Sequence, residues 1–350
     1  IEYAEGLDFS SLEEELGDFY DVFGEKNLLT LIDDYISGDL NIGYEQLFAA
    51  AVEGVFSIAK NRIAEIVSVL IIAVFAAIIG ALRGEFSDGV NRLCDFIFSS
   101  MIIVIISSVF YSFYTSTLTT VERVSGIIQG AYPIMLTIFV TVGAGGSGSV
   151  FSPAVSFLGS FYTSVISGLR LPIISLNFVF ATVGNLSDSI KLSKFGEFFK
   201  SSFKWIIGFI SLIFCFVLSM QGVVSSTFDG FSFKALKFAF SNGVPIVSQM
   251  VQGGFDVVFA SLVLIKNSVG LIAMIMLLVA LIKPIIELAV TCVILRLVAA
   301  CVEPIGANFA QKSLSSCADV MTLMNGVLIC VGICFLLTVL MMIVALGGAV

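Results

Sequence analysis

The stretch that decides the fold is VMTLMNGVLICVGICFLLTVLMMIVAL, residues 320–346, which holds no Asp, Glu, Lys or Arg. A helix rises ~1.5 Å per residue, so about 20 mainly apolar residues cross the hydrocarbon core of a bilayer. Lipid demands only that the backbone satisfy its own hydrogen bonds, which a helix does. Working back from this stretch, comparable runs occur at 63–82, 96–115, 124–142, 150–168, 205–224, 244–265 and 284–302, with shorter ones at 172–186 and 269–282. The expected fold is therefore all-α, a polytopic transmembrane helical bundle of 8–10 apolar segments. The only tryptophan, Trp205, opens its segment at a plausible interface position.

Composition supports the membrane class. The chain is 58% hydrophobic and 12% charged, whereas soluble domains have roughly 45–50% apolar and about 25% charged residues. The net charge of −9 is unevenly spread: residues 1–59 hold 14 of the 26 acidic residues and one basic residue, Lys26. That acidic piece faces water. Within it Leu12, Leu16, Phe19 and Phe23 form one helical stripe, Leu28, Leu29, Ile32 and Ile36 a second, Gly38 marks a turn, and 44–62 reads as a further amphipathic helix. The acidic start at Ile1, without Met, fits a chain from which a signal peptide has been cleaved.

Lys/Arg bias sets orientation. The most basic loop, 187–204, carries Lys191, Lys194, Lys200 and Lys204 and is assigned to the cytoplasm. Counting spans back from it places residues 1–62 outside. Lys234 and Lys237 fall on the wrong side of that count, so either 225–243, with its five phenylalanines, lies along the interface as an amphipathic linker or the span count shifts by one.

Several chemistries lack their residues. There is no His, no G-x-x-x-x-G-K-[ST] and no C-x-x-C, and the seven cysteines lie mostly in apolar runs as small fillers. Gly143, Gly145 and Gly148 spell G-x-G-x-x-G, but between two membrane segments rather than in a βαβ unit, so they read as a turn. No catalytic residue, cofactor, metal site or nucleic-acid partner is expected.

Charges inside apolar segments are the functional pointers, because each is costly in hydrocarbon. The candidate polar residues are Asp256, Lys283, Glu287 and Arg296, with Lys266 at the end of the 244–265 segment. They suit a polar pathway or an inter-subunit contact; the plainer alternative is local ion pairs near the headgroups, with lysines snorkelling. Gln129, Asn177 and Asn267 are expected to bond across helices. Pro133, Pro172, Pro245 and Pro284 are candidate helix breaks, each removing an i→i−4 bond or starting a helix. Pro133-Ile134 recurs as Pro245-Ile246, and Pro172-Ile173-Ile174 as Pro284-Ile285-Ile286, both 112 residues apart. The shared offset suggests a duplicated unit. The expected organisation is an acidic extracytoplasmic segment at 1–62, two membrane helices at 63–123, one repeat at 124–224, the linker at 225–243 and a second repeat at 244–350.

A run of short pieces then carries a resemblance: VSGII (124–128), YPIML (132–136), LPII (171–174), VGNLS (183–187), KLSKF (191–195), LSMQGV (218–223), ALKFA (235–239), VPIV (244–247), GFDVV (254–258), LIKNSVG (264–270) and EPIG (303–306). In number and order they resemble the stage III sporulation protein AE family of endospore-forming bacteria, over about residues 60–345. The resemblance implies the polytopic subunit of a channel or secretion-like complex joining mother cell and forespore, needed for forespore development after engulfment. It implies partners among the other stage III sporulation membrane proteins and, through the complex, stage II sporulation protein Q. Self-association is left open. The implied location is the mother-cell membrane around the forespore, with the N-terminal segment in the intermembrane space. The family brings no catalytic residues. The alternatives on residues alone are a stand-alone secondary transporter or a non-conducting membrane scaffold.

Overall fold

The computed structural model describes residues 12–13, 27–38, 67–68, 71–72, 74–75, 78, 88–141, 173–180, 182–184, 194–217, 219, 248–305 and 308–344. These residues are helical, with no strand among them. The helices are α1 (Leu28–Ser37), α2 (Asp88–Thr141), α3 (Ile173–Gly184), α4 (Lys194–Val217), α5 (Ser248–Val302) and α6 (Asn308–Val344). Among the described residues, four stretches are long and apolar enough to cross a membrane: Phe96–Ile138, Lys194–Val217, Ser261–Val302 and Phe309–Val344.

α1 stops where its chemistry says it should. Thr30 Oγ1 donates to the Asn27 carbonyl at the start, and Gly38, at φ +80°, takes the left-handed conformation that favours glycine and returns its N–H to Tyr35 O at 3.2 Å. Its buried Leu28, Leu31 and Ile32 pack towards α5.

The segmentation of α2 differs from the sequence reading. Residues 96–115 and the 124–142 segment up to Thr141 are parts of one 54-residue helix. The intervening polar stretch carries no turn signal, and its hydroxyls bond back to their own helix. Thr115 Oγ1 donates to Tyr111 O at 3.1 Å, Thr117 Oγ1 to Phe113 O at 2.7 Å, Thr119 Oγ1 to Thr115 O at 3.2 Å and Thr120 Oγ1 to Ser116 O at 2.7 Å. Satisfied this way, Thr is as compatible with a long helix as a small apolar residue. Pro133 lies inside α2 and Pro284 inside α5, and each helix continues through its proline. The 244–265, 269–282 and 284–302 segments thus join over 248–302. Pro172 and Pro245 lie outside the described residues, as do the 150–168 segment, the 225–243 linker and the glycine turn at 143–148. The basic 194–204 stretch is the first part of α4 rather than a loop, so Trp205 sits well inside the helix.

The 3₁₀ turn Glu303–Ile305 reverses the chain between α5 and α6. The two helices then run antiparallel: Cys292 meets Ala318, Leu281 meets Gly332, and Gly270 meets Ile343. Their seam forms the centre of the core, from Ile265, Val269, Ile272 and Met276 against Val331, Phe335, Val339 and Met342, with Ile128, Met135 and Ile138 of α2 closing a second side. α3 joins α2 through Phe110 and Phe178, stacked with centroids 4.1 Å apart, and joins α4 through Phe180 and Phe199 at 5.4 Å.

Apolar side chains also point outwards. Val67, Ile71, Val74, Phe75 and Ile78 share one helical face and are exposed, as are Trp205, Phe209, Leu212 and Phe216 on α4. In water such faces would be a liability; facing lipid they need no cover.

Candidate functional site: a polar node across three helices

The polar groups of the bundle converge on α6. Asp319 stands three turns into that helix and accepts from two cations on two other helices. Lys200 Nζ of α4 lies 2.5 Å from Asp319 Oδ2, and an Arg296 guanidinium nitrogen of α5 lies 3.3 Å from Asp319 Oδ1. The same Arg296 nitrogen reaches Thr322 Oγ1 at 3.4 Å. Thr322 also donates to Ala318 O at 2.8 Å and sits 3.1 Å from Cys292 Sγ, which itself reaches Ala318 O at 3.3 Å. One carboxylate thus shares two cations, leaving the trio net positive. The side chains are 34%, 45% and 57% exposed for Lys200, Asp319 and Arg296, so the node is a rim feature and not a fully dehydrated one.

A lower contact repeats the α4–α6 register. Ser211 Oγ lies 2.8 Å from Cys330 Sγ. Lys200 and Asp319 are separated by 119 residues, and so are Ser211 and Cys330. Two contacts with one separation mean that α4 and α6 run parallel, side by side.

At the far end of the hairpin, Lys266 is 0% exposed and its Nζ donates to the Ile343 carbonyl in the last turn of α6. The negative end of the helix dipole favours the ammonium there. Asp319 and Ile343 are separated by ~36 Å of helix at ~1.5 Å per residue. This slightly exceeds the ~30 Å hydrocarbon core of a bilayer. The two charged ties therefore suit opposite edges of the membrane, with a wholly uncharged stretch of α6 between them.

The sequence-derived candidates distribute as follows. Arg296 enters the node. Lys283 and Glu287 do not: Lys283 is exposed and Glu287 half-buried on α5, and neither makes a hydrogen bond or ion pair among the described residues. Asp256 lies in the backbone of α5, and its side chain is outside the described residues. Gln129 bonds within its own helix, Nε2 to Ser125 Oγ at 2.8 Å, rather than across to another. Asn267 Oδ1, Thr291 Oγ1 and Asn325 Oδ1 are buried without a hydrogen-bond partner, so uncharged polar groups occur at several depths along the hairpin.

Asp319 and Lys200 were missed as site residues by sequence reasoning, because both fell in stretches taken as loops. The available signal was Asp319 itself: it is the last charged residue of the chain, immediately before the uncharged run. Among the described residues no group of three or more His, Cys, Asp and Glu could hold a metal ion. Chemically the node ties helices together and can respond to charge.

Comparison with known proteins gives a consistent picture. The model of the stage III sporulation protein AE family matches residues 26–346, a range that includes every residue of the node and Lys266. The stage III sporulation protein AE of Bacillus subtilis is 21% identical over 292 residues, covering 83% of this chain and 72% of that relative. No solved structure matches the chain.

Proposed function

The chain belongs to the stage III sporulation protein AE family, and on that premise we propose that it is a membrane subunit of the channel or secretion-like complex linking mother cell and forespore. Its role is to sustain forespore development after engulfment, by assembly and not by catalysis. The observation that supports this reading is a set of long apolar helices, capable of crossing a membrane and tied by charges at both ends, in a chain of that family.

Its partners are the other stage III sporulation membrane proteins and, through them, stage II sporulation protein Q. Its place is the mother-cell membrane around the forespore, with the acidic N-terminal segment in the intermembrane space. The repeat organisation over 124–224 and 244–350 belongs to the same proposal. Shifting α4 by the 112-residue offset lands it on 306–329, which overlaps the first part of α6, and aligns Lys200-Ser201 with Lys312-Ser313. Corresponding helices of the two units would then pack side by side and parallel.

The test is forespore volume after engulfment in a strain lacking this gene, imaged against its parent. Forespores that are engulfed and then shrink or collapse are the expected result, with rescue by the intact gene. Forespores of normal volume that mature into viable spores would overturn the assignment.

A further inference from the structure

Lys283 and Glu287 lie on α5 between its two anchors. At ~1.5 Å per residue, Lys283 is ~25 Å along the helix from Lys266 and ~20 Å from Arg296, which places the pair near mid-depth. They are one turn apart on one face. Pro284 lies between them and has no N–H, so the Ala280 carbonyl loses its helical donor at the same level. Charges in this position are costly unless they find opposite charges or water.

The surrounding face is apolar and partly uncovered. Val279, Val290 and Ile294 beside the pair are half-buried and Leu297 further along is exposed, while Leu281, Leu288 and Leu295, turned away from the pair, are buried. Lipid can cover Leu and Val, but it cannot pair an ammonium and a carboxylate. A pairing within one chain is geometrically available at this spacing, but Lys placed N-terminal to Glu is the weaker order on a helix. It is also not the arrangement adopted, since no ion pair links the two.

We propose that this face of α5 is a self-association surface, on which Lys283 of one copy pairs with Glu287 of a second copy and the reverse. A two-fold axis along the membrane normal, which keeps both copies in the same orientation, makes one patch meet itself. The two charges are offset by ~6 Å along the helix, within reach of an extended lysine side chain. The argument for a second copy over another membrane protein is charge self-complementarity. The patch has one positive and one negative group at a fixed spacing. An identical patch supplies the matching negative and positive groups at that spacing, and neither charge is left over. The pairing depends only on the geometry of α5 and holds whether or not the sporulation role does.

The experiment uses two full-length copies with different tags, co-expressed, extracted in mild detergent and captured through one tag. Wild-type copies are expected to co-purify. K283E with K283E, or E287K with E287K, brings like charges together at depth, and co-purification should fall by about tenfold or more, the equivalent of one lost interhelical polar contact with repulsion added. K283E mixed with E287K restores both opposite-charge pairs and should recover most of the wild-type signal. Monodisperse elution of each variant on gel filtration separates loss of pairing from loss of folding. Wild-type copies that fail to co-purify, single reversals that still self-associate, or a mixed pair that does not recover would each overturn the proposal.

Discussion

Gly270→Ala probes the most closely packed of the described glycines. A Cβ at Gly270 would lie 2.4 Å from Ile343 Cγ1, 2.8 Å from Ile343 Cδ1 and 3.0 Å from Met135 Cε. Favourable carbon–carbon separation begins at about 3.5 Å, so either α5 moves roughly 1 Å away from α6 or Ile343 leaves its rotamer. Ile343 is β-branched and stiff at χ1 in a helix. Met135, 0% exposed, blocks retreat on the α2 side. Overpacking of this kind costs about 1–3 kcal/mol, offset by the roughly 1 kcal/mol by which Ala is a better helix former than Gly. The net expectation is a loss of about 0–2 kcal/mol. The displacement also pulls the Ile343 carbonyl away from Lys266. Gly326→Ala on α6 is the control, because nothing lies within 4 Å of its added methyl. There the propensity gain stands unopposed and stability should rise slightly. Gly332→Ala falls between, since its closest neighbour, at 2.7 Å, is a methyl at the far end of the Leu281 side chain, which can rotate. The assay is thermal unfolding of the full chain in detergent, followed by helical circular dichroism. A Gly270→Ala protein that melts at or above wild type, or no difference between Gly270→Ala and Gly326→Ala, would refute the packing argument.

Two further substitutions test the charged ties. Asp319→Asn removes both ion pairs of the node. Its partners are partly exposed, so the expected loss is only about 0.5–1 kcal/mol, with the remaining difference shrinking at high salt; a salt-independent loss would point to packing instead. Lys266→Met keeps the volume but takes the ammonium donor from the Ile343 carbonyl, and amide hydrogen exchange in the last turn of α6 should speed up by about tenfold or more. Unchanged protection there would show that Lys266 does not secure the helix end.

Much of the fold was legible because the hydrophobic signal is strong and lipid leaves few alternatives. The apolar stretches and the short helix ending at Gly38 could be read from residue type and spacing. Helix ends were harder. The polar stretch Ser116–Arg123 looked like a loop by hydropathy, but Thr hydroxyls that bond back to the preceding turn remove the reason to leave the helix. Lys283-Pro284 looked like a break, yet proline removes one backbone bond and packing on both sides carries α5 through it. The basic residues of 194–204 and the acid at 319 were assigned to loops for the same cause: charge was taken as an end of helix, when it marked where helices are tied.

The sequence by itself determined that this chain is a helical membrane protein with a segregated acidic segment, because run length and charge distribution are local properties and lipid is an unforgiving solvent for unpaired backbone. It also carried enough ordered short pieces to point to the family. Only the tertiary structure decided which charges meet. Asp319 could pair with Lys200 and Arg296 only once the Glu303–Ile305 turn had folded α6 back along α5 and α4 had settled parallel to α6. It likewise left Lys283 exposed and Glu287 half-buried, apart from the node. Partner choice among charges depends on distances between helices far apart in the chain, and those distances are set by packing at residues such as Gly270 and Gly332, where the absence of a side chain makes room for Ile343 and Leu281 of the neighbouring helix.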